Sequence, residues 1–179
     1  MDEIPAFELA AHWHKGQVRK GLNAEPFVSH PLRVARLLIQ FGVYDQDILD
    51  AALLHDILED TDCPEILIQQ QLSRKVLRIV KELTDDKTLL KSARKQHQVE
   101  RASLLSPEAT LIRLADKIDN VGSLLNDPPE TWSWQRQRDY VAWANRVVKN
   151  LNAPPAELLQ SYQQVQAQVW ERVTGQIPL

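Results

Sequence analysis

Only one cysteine, Cys63, occurs in the 179 residues, so no intramolecular disulfide can form, which suits a reducing cytoplasm. Cys63 lies in Asp62-Cys63-Pro64, a turn sequence, and reads as a small loop residue rather than a catalytic thiol. Glycine is scarce, five in all, and no alternating Val/Ile/Thr run is visible, so strand and hairpin signals are nearly absent. Long apolar runs are missing: nothing approaches the roughly 20 residues that a membrane span requires. The start, Met1 to Pro5, is acidic and lacks a secretory leader's apolar stretch. A net charge of −3 offers no general field for nucleic acid. Any anionic ligand has to be met by local cations. Internal repeats and low-complexity tracts are also lacking.

What is present is a globular balance, 44% hydrophobic and 25% charged, in a length that suits one domain over residues 1–179. Apolar residues recur at helical spacing. Leu32, Ala35, Leu38 and Ile39 form one stripe, with Pro31 at a plausible first helical position. Ile48, Ala51, Ala52 and Leu54 form a second, capped by Asp45 or Asp47. Val76, Ile79, Val80 and Leu83 follow Ser73. Ser106-Pro107-Glu108 combines a cap, a first-turn proline and an acid suited to the helix dipole; its helix runs through Leu111, Leu114, Ala115 and Ile118 until Asp127-Pro128-Pro129 breaks it. Trp132 to Val148 reads as another helix. Pro154-Pro155 opens the last, with Leu158, Tyr162, Val165, Val169 and Val173 on one face. Residues 15–29 and 84–88 read as loops. The expected class is all-α, a compact multi-helix bundle.

His55-Asp56 follows Ala51-Ala52-Leu53-Leu54, so two polar groups emerge from an apolar helix, which is costly unless they are paired or bind a metal. Glu59 and Asp60 stand four residues after His55 and Asp56, on shared helix faces. Three acids that close repel one another without a cation. His30, just before Pro31, and Asp116, in Leu114-Ala115-Asp116-Lys117, can complete a shell of two imidazoles and two carboxylates. That mixed N/O set, with positions open to water and phosphate, suits one Mn²⁺ or another borderline divalent ion. Alone, a histidine before proline serves as a cap or core residue, and a helical aspartate as an ion-pair partner. The ordered combination is what points to a metal.

The order His30, His55-Asp56, Asp116 resembles the HD superfamily of metal-dependent phosphohydrolases. More narrowly, five strings resemble the hydrolase domain of Rel/SpoT enzymes and its stand-alone metazoan and bacterial homologues: residues 14–20, 26–31, 51–61, 83–88 and 114–120. Residues 132–143, with Arg136 and Tyr140, add a further match. The resemblance implies an HD-domain bundle with its metal site in a central cleft. It implies that His30, His55, Asp56 and Asp116 bind Mn²⁺, and that Glu59 and Asp60 position or deprotonate the attacking water. Arg19 and Lys20 would face the nucleotide, Arg19 by stacking. Lys91 and Arg136 would pair with phosphates, and Asn120 and Tyr140 would contact the nucleoside. The implied reaction removes the 3′-pyrophosphate of ppGpp or pppGpp, giving GDP or GTP. The implied partner is a guanosine polyphosphate, with no nucleic acid and no membrane.

Other readings stay open at this point. Lys91 and Arg136 sit in charge-rich helices, where cations are commonly just solvated. His14 either meets substrate or holds the following loop by hydrogen bonds. His12 and His97 read as surface residues, and Trp132 and Trp143 as packing. Three departures from the family's pattern bear on substrate choice. The 21–25 link is slightly longer than usual, and Phe27 replaces a tyrosine. Asp119 stands where His or Tyr is usual, and its charge repels a polyphosphate unless Lys117 or the metal compensates. Two rivals follow: the same site acting on another nucleotide, such as the ribose phosphate of NADPH, or a catalytically dead nucleotide-binding protein. Retention of Glu59 and Asp60 argues against the second.

Overall fold

Four helices begin on a side chain that closes an otherwise open backbone N–H, and three of these caps, Asp45, Ser73 and Ser106, match the sequence signals. In the computed structural model, which describes residues 5–175, Asp45 caps α3 (Gln46–Leu54), Ser73 caps α6 (Arg74–Leu83), Ser106 caps α8 (Pro107–Asn126) and Ser133 caps α9 (Trp134–Lys149). Each such cap contributes about 1 kcal/mol. The other helices are α1 (Pro5–Trp13), α2 (Ser29–Gln40), α4 (Ile57–Asp60), α5 (Glu65–Gln71), α7 (Lys91–Arg101) and α10 (Ala156–Thr174). Among the described residues no strand forms; two isolated bridges, Val18 to Pro26 and Gly21 to Pro129, are the only β pairing. The all-α expectation is met. The acidic stretch Met1 to Ile4 lies outside the described residues.

Helix α8 is the axis of the bundle. It packs against α2, α3, α6, α9 and α10, and six consecutive residues, Arg113 to Ile118, are buried. A helix covered on all sides cannot keep to one apolar stripe. Its middle therefore holds Arg113, Asp116 and Lys117 in the interior, where each needs a partner. The 112–121 stretch still contributes Ile112, Leu114, Ala115 and Val121 to the core, all at 0% exposure.

Details differ from the sequence reading for local reasons. Ser133 takes the cap, so α9 starts at Trp134, two residues later than expected. Helix α2 starts at Ser29, which leaves Pro31 still in the first turn, where its missing N–H is harmless. Cys63 lies in a turn but is buried in the core. Helix α5 had no strong stripe and was not anticipated. Most consequentially, α3 stops at Leu54, and His55-Asp56 forms a break before α4. The Asp60 N–H still bonds the Asp56 carbonyl at 2.8 Å, and His55 and Asp56 both keep right-handed helical backbone angles, so the turn stays helix-like.

The 14–28 segment is tied to the end of α8. Besides the Gly21–Pro129 bridge, the Asn23 N–H donates to Asp127 Oδ1 at 2.9 Å. The Asp127 carboxylate occupies the space that a Cβ on Gly21 would need, so a glycine is required there by close approach.

Candidate metal centre and cleft

Three segments converge. The first turn of α2 supplies His30, the α3–α4 break supplies His55 and Asp56, and the middle of α8 supplies Asp116. His30 Nε2 lies 3.2 Å from His55 Nε2, 3.2 Å from Asp116 Oδ1 and 3.6 Å from Asp56 Oδ2. His55 Nε2 lies 3.2 Å from Asp56 Oδ2 and 3.8 Å from Asp116 Oδ1. Donors bound at right angles about 2.1–2.2 Å from one ion sit about 3 Å apart, so these spacings fit neighbouring ligands. The imidazoles point the same way. His55 Nδ1 sits 2.7 Å from the Ala52 carbonyl, and His30 Nδ1 2.7 Å from Asp119 Oδ2. Acceptors at both Nδ1 atoms leave two Nε2 lone pairs facing each other, an arrangement that requires a cation or a proton between them. His30, His55 and Asp56 form a group able to hold a metal ion, and Asp116 reaches two of its three members.

The electrostatics are those of a cation site. Burial opposes charge on His55, yet Asp56 and Asp116 outweigh it and push the imidazole up to about 9. Burial also raises Asp56 and Asp116. It is overcome for Asp56 by His55 and His30, and for Asp116 by Lys117 and the two histidines, so both carboxyls are held well below the usual range. Lys117, itself buried, donates to Asp116 Oδ2 at 3.1 Å, and Arg113 stands 3.7 Å from the same oxygen. Asn120 Nδ2 makes a short bond to Asp116 Oδ1.

Glu59 and Asp60 differ in setting. Burial first, then Asp85 and Asp56, pushes Glu59 up to about 7. Its carboxylate accepts from the Asp85 N–H at 3.2 Å and meets Arg94 at 3.4 Å. Asp60 lines the open cleft and pairs with Lys87 at 2.8 Å. Adjacent residues on α4 face about 100° apart, so the two acids point to different surroundings.

The cleft beside this cluster has a volume of about 920 Å³. Arg19, Lys20, Lys91, Asn120, Arg136 and Tyr140 all line it, so the structure brings the six sequence-derived candidates together. Arg19 donates to Asn120 Oδ1 at 2.8 Å, leaving the Asn120 amide engaged at both ends. The Tyr140 ring lies between Trp132 and Trp143, with centroids 5.2 and 5.3 Å away; burial pushes its hydroxyl far up. Arg136 lies 4.6 Å over the Trp132 ring.

Lys95 was not foreseen. It lines the cleft one turn beyond Lys91 on α7 and sits 4.6 Å over Trp143 and 5.5 Å over Tyr140. The i to i+4 spacing from Lys91 was the available signal. Burial and then the mutual repulsion of Lys91, Lys117 and Arg136 lower Lys95, and Lys91 is lowered by burial and by Arg136, Lys20 and Arg94. Cations crowded in this way form a receptor for an anion.

His14 holds the loop. Its Nδ1 lies 2.8 Å from Gln17 Oε1, and its ring stacks on Phe27 at 4.6 Å. His12 is exposed as expected, His97 is half-buried, Trp143 is buried and Trp132 is half-buried. Asp119 finds its partners elsewhere than at Lys117. Arg33 donates to it at 2.6 Å through Nε, and His30 closes its other oxygen. Against the effect of burial, these bonds hold Asp119 below the usual carboxylate value.

The HD domain family model matches residues 6–147. The guanosine-3′,5′-bis(diphosphate) 3′-pyrophosphohydrolase MESH1 of Mus musculus is 42% identical over 163 residues, covering 90% of this chain and 91% of that protein. The protein of the same name from Homo sapiens is 43% identical over 156 residues, 87% of each chain. A solved structure described as a metazoan ortholog of SpoT that hydrolyzes ppGpp and plays a role in starvation responses superposes with a TM-score of 0.88 at 37% identity. That match covers 91% of this chain and 92% of the other.

Proposed function

The chain belongs to the HD domain family, and on that premise we propose that it is a Mn²⁺-dependent cytoplasmic 3′-pyrophosphohydrolase of ppGpp and pppGpp. The observation that carries this reading is the pairing, in one cleft, of a four-ligand cation site with a wall of unneutralised cations, Lys91, Lys95 and Arg136. A hydrolase for a nucleotide with phosphates at both ends needs both. His30, His55, Asp56 and Asp116 are the ligands; the donor set, two imidazoles and two ionised carboxylates, fits a borderline divalent ion. An ion held there would lower the pKa of a water molecule and polarise the phosphoryl oxygens.

The remaining work falls to side chains. Glu59, poised near neutrality, takes the proton of the attacking water, and Asp60 orients that water from the cleft wall. The water oxygen bonds to the phosphorus attached to the ribose 3′ oxygen, that P–O bond breaks, and pyrophosphate leaves. The 3′ oxygen takes up a proton, leaving GDP or GTP. Arg19 and Lys20 face the nucleobase, Asn120 holds Arg19 in place, and Tyr140 lines the nucleoside side. Lys91, Lys95 and Arg136 receive the 5′ phosphates. The NADPH alternative shares this metal site, and the ion pair of Asp119 with Arg33 answers only the objection that its charge repels a polyphosphate.

The test is a substrate panel with purified protein and Mn²⁺, with pyrophosphate and orthophosphate measured separately. The expected result is one pyrophosphate per GDP from ppGpp, with turnover abolished by chelation and restored by Mn²⁺. Inert ppGpp together with orthophosphate release from NADPH would replace this reading.

A further inference from the structure

His30 lies between two carboxylates on the same helix. Asp116 and Asp119 are three residues apart on α8, and His30 reaches the first through Nε2 and the second through Nδ1. Arg33, three residues after His30 on α2, closes the square: its Nε and Nη2 meet Asp119 Oδ1 and Oδ2 at 2.6 and 3.3 Å. Arg33 Nη1 then donates to Glu25 Oε2 at 2.7 Å and to Ser29 Oγ at 3.2 Å. Only 12% of the Asp119 side chain is exposed, so a full negative charge there needs these partners.

We infer that Asp119 is a positioning residue for the metal centre. It fixes the His30 tautomer and ring so that Nε2 presents its lone pair to the ion, and Arg33 cancels the charge that this introduces beside an anionic substrate. The physical reason is general. A ligating imidazole is oriented by what its other nitrogen donates to, and a carboxylate there also raises its basicity. His55 has only a backbone carbonyl in that place, at Ala52, so the two histidines are unequally supported. Charge around the device balances: Asp119 and Glu25 face Arg33 and Arg19, the latter 3.9 Å from Asp119. Arg33 also ties the substrate-facing loop, through Glu25, to the residue that aims His30. This inference rests on the metal-centre reading and adds to it a residue at a position where the family's pattern carries a different type.

The experiment is Mn²⁺ titration of metal-free protein, followed by electron paramagnetic resonance of the free ion, alongside kinetics and melting of the metal-free form. Asp119→Asn keeps size and an acceptor but removes the charge. It is expected to bind Mn²⁺ about 10–100-fold more weakly while the metal-free protein melts as wild type. Arg33→Met leaves the His30–Asp119 bond. It is expected to keep Mn²⁺ affinity or tighten it while raising KM for ppGpp, and the double variant should lose that KM penalty. Unchanged Mn²⁺ affinity in Asp119→Asn overturns the inference while leaving the enzyme reading intact. A loss of affinity in Arg33→Met as large as in Asp119→Asn overturns the division of labour. Wild-type protein that binds no Mn²⁺ overturns both readings. Should Asp119→Asn not fold, ¹⁵N-histidine spectra of wild-type protein loaded with diamagnetic Zn²⁺ decide: a His30 Nδ1 proton shifted further downfield than that of His55, as donation to a carboxylate gives, supports the inference, and equal shifts overturn it.

Discussion

His30 and Lys91 face the same cleft, and they are held in different ways. His30 is 1% exposed and engaged at both ring nitrogens, by groups from α8 and the α3–α4 break. Lys91 is exposed, and the charged groups acting on it are cations, Arg136, Lys20 and Arg94. The His–Asp cluster is preorganised by three packed segments, and a cation there would relieve the repulsion between Asp56 and Asp116. The rim is a set of cations brought close without a matching anion. A centre of the first kind fixes where chemistry happens, and a rim of the second kind decides which molecule arrives. Substitutions in the two regions should therefore fail differently: ligand changes should remove turnover, rim changes should weaken binding.

The largest effect is expected at the centre. His55→Ala removes one of the four ligands, so turnover should fall to background and Mn²⁺ should no longer protect the fold. For the wild type, ion at one hundred times its dissociation constant stabilises by about 2.7 kcal/mol, readable as a melting shift. A variant that kept both the shift and the turnover would show that the His55 nitrogen is not a ligand, and the contrast with the rim would collapse.

Next comes Glu59→Gln, which should lower kcat by about 10²–10⁴-fold with metal affinity little changed. Its stability effect has the opposite sign. Burial, with Asp85 and Asp56, pushes Glu59 up to about 7, so between the ordinary carboxylate range and about pH 7 the folded state keeps a proton that the unfolded chain has released. Wild-type stability therefore declines as pH rises through that window. Metal-free Glu59→Gln should melt above wild type at pH 8, by at most a few kcal/mol, and the gap should close below about pH 4.5. Melting curves at the two pH values check this; a variant less stable than wild type at pH 8 would mean that the carboxylate is well satisfied by Asp85 and Arg94.

A smaller and different loss is expected at the rim. Lys95→Met keeps an unbranched apolar stem against Trp143 and Tyr140 and removes only the charge. KM for ppGpp should rise roughly tenfold, the worth of one charge-assisted hydrogen bond, with kcat nearly constant. Wild-type KM should climb with ionic strength more steeply than that of the variant, since one screened contact is gone. If kcat fell as much as kcat/KM, Lys95 would act on the transition state, and the separation of centre from rim would be too sharp.

The sequence showed the centre more clearly than its supports. His55, Asp56 and Asp116 stood out because each interrupts an apolar stripe, and His30, a histidine before proline, only through its order with them. Caps at Ser73 and Ser106 were legible because their chemistry is local. The break at His55 was not, since Ala51 to Asp60 carries no proline or glycine to announce it. Nor were the partners of Asp116 and Asp119. Lys117 and Arg113 are turned inward by α9 and α6, where they meet the Trp143 ring and the Leu83 carbonyl, and Arg33 reaches Asp119 only through the docking of α2 on α8. Lys95 was missed for the same reason: a lysine over a tryptophan reads as solvated until the helix that carries the ring is in place.

The smallest expected effect tests whether Asp60 belongs to the centre or to the rim. It follows Glu59 in sequence, yet it lines the open cleft and pairs with Lys87, both side chains more than a third exposed. An ion pair in that setting contributes about 0.2–1 kcal/mol, so Lys87→Ala should scarcely move the melting temperature. If Asp60 takes its place at the water from the pull of the bound ion, losing Lys87 frees it, and kcat/KM should change by no more than about fivefold, the equivalent of that same small energy. If Lys87 is what aims Asp60, kcat should drop toward the level of the Asp60→Asn variant, and the pair would have to be counted with the preorganised centre. The two outcomes separate in a single kinetic comparison of Lys87→Ala, Asp60→Asn and the double variant. Equal rates in all three would make Lys87 and Asp60 one unit; a near-normal Lys87→Ala beside a crippled Asp60→Asn would leave Asp60 aimed by the centre alone.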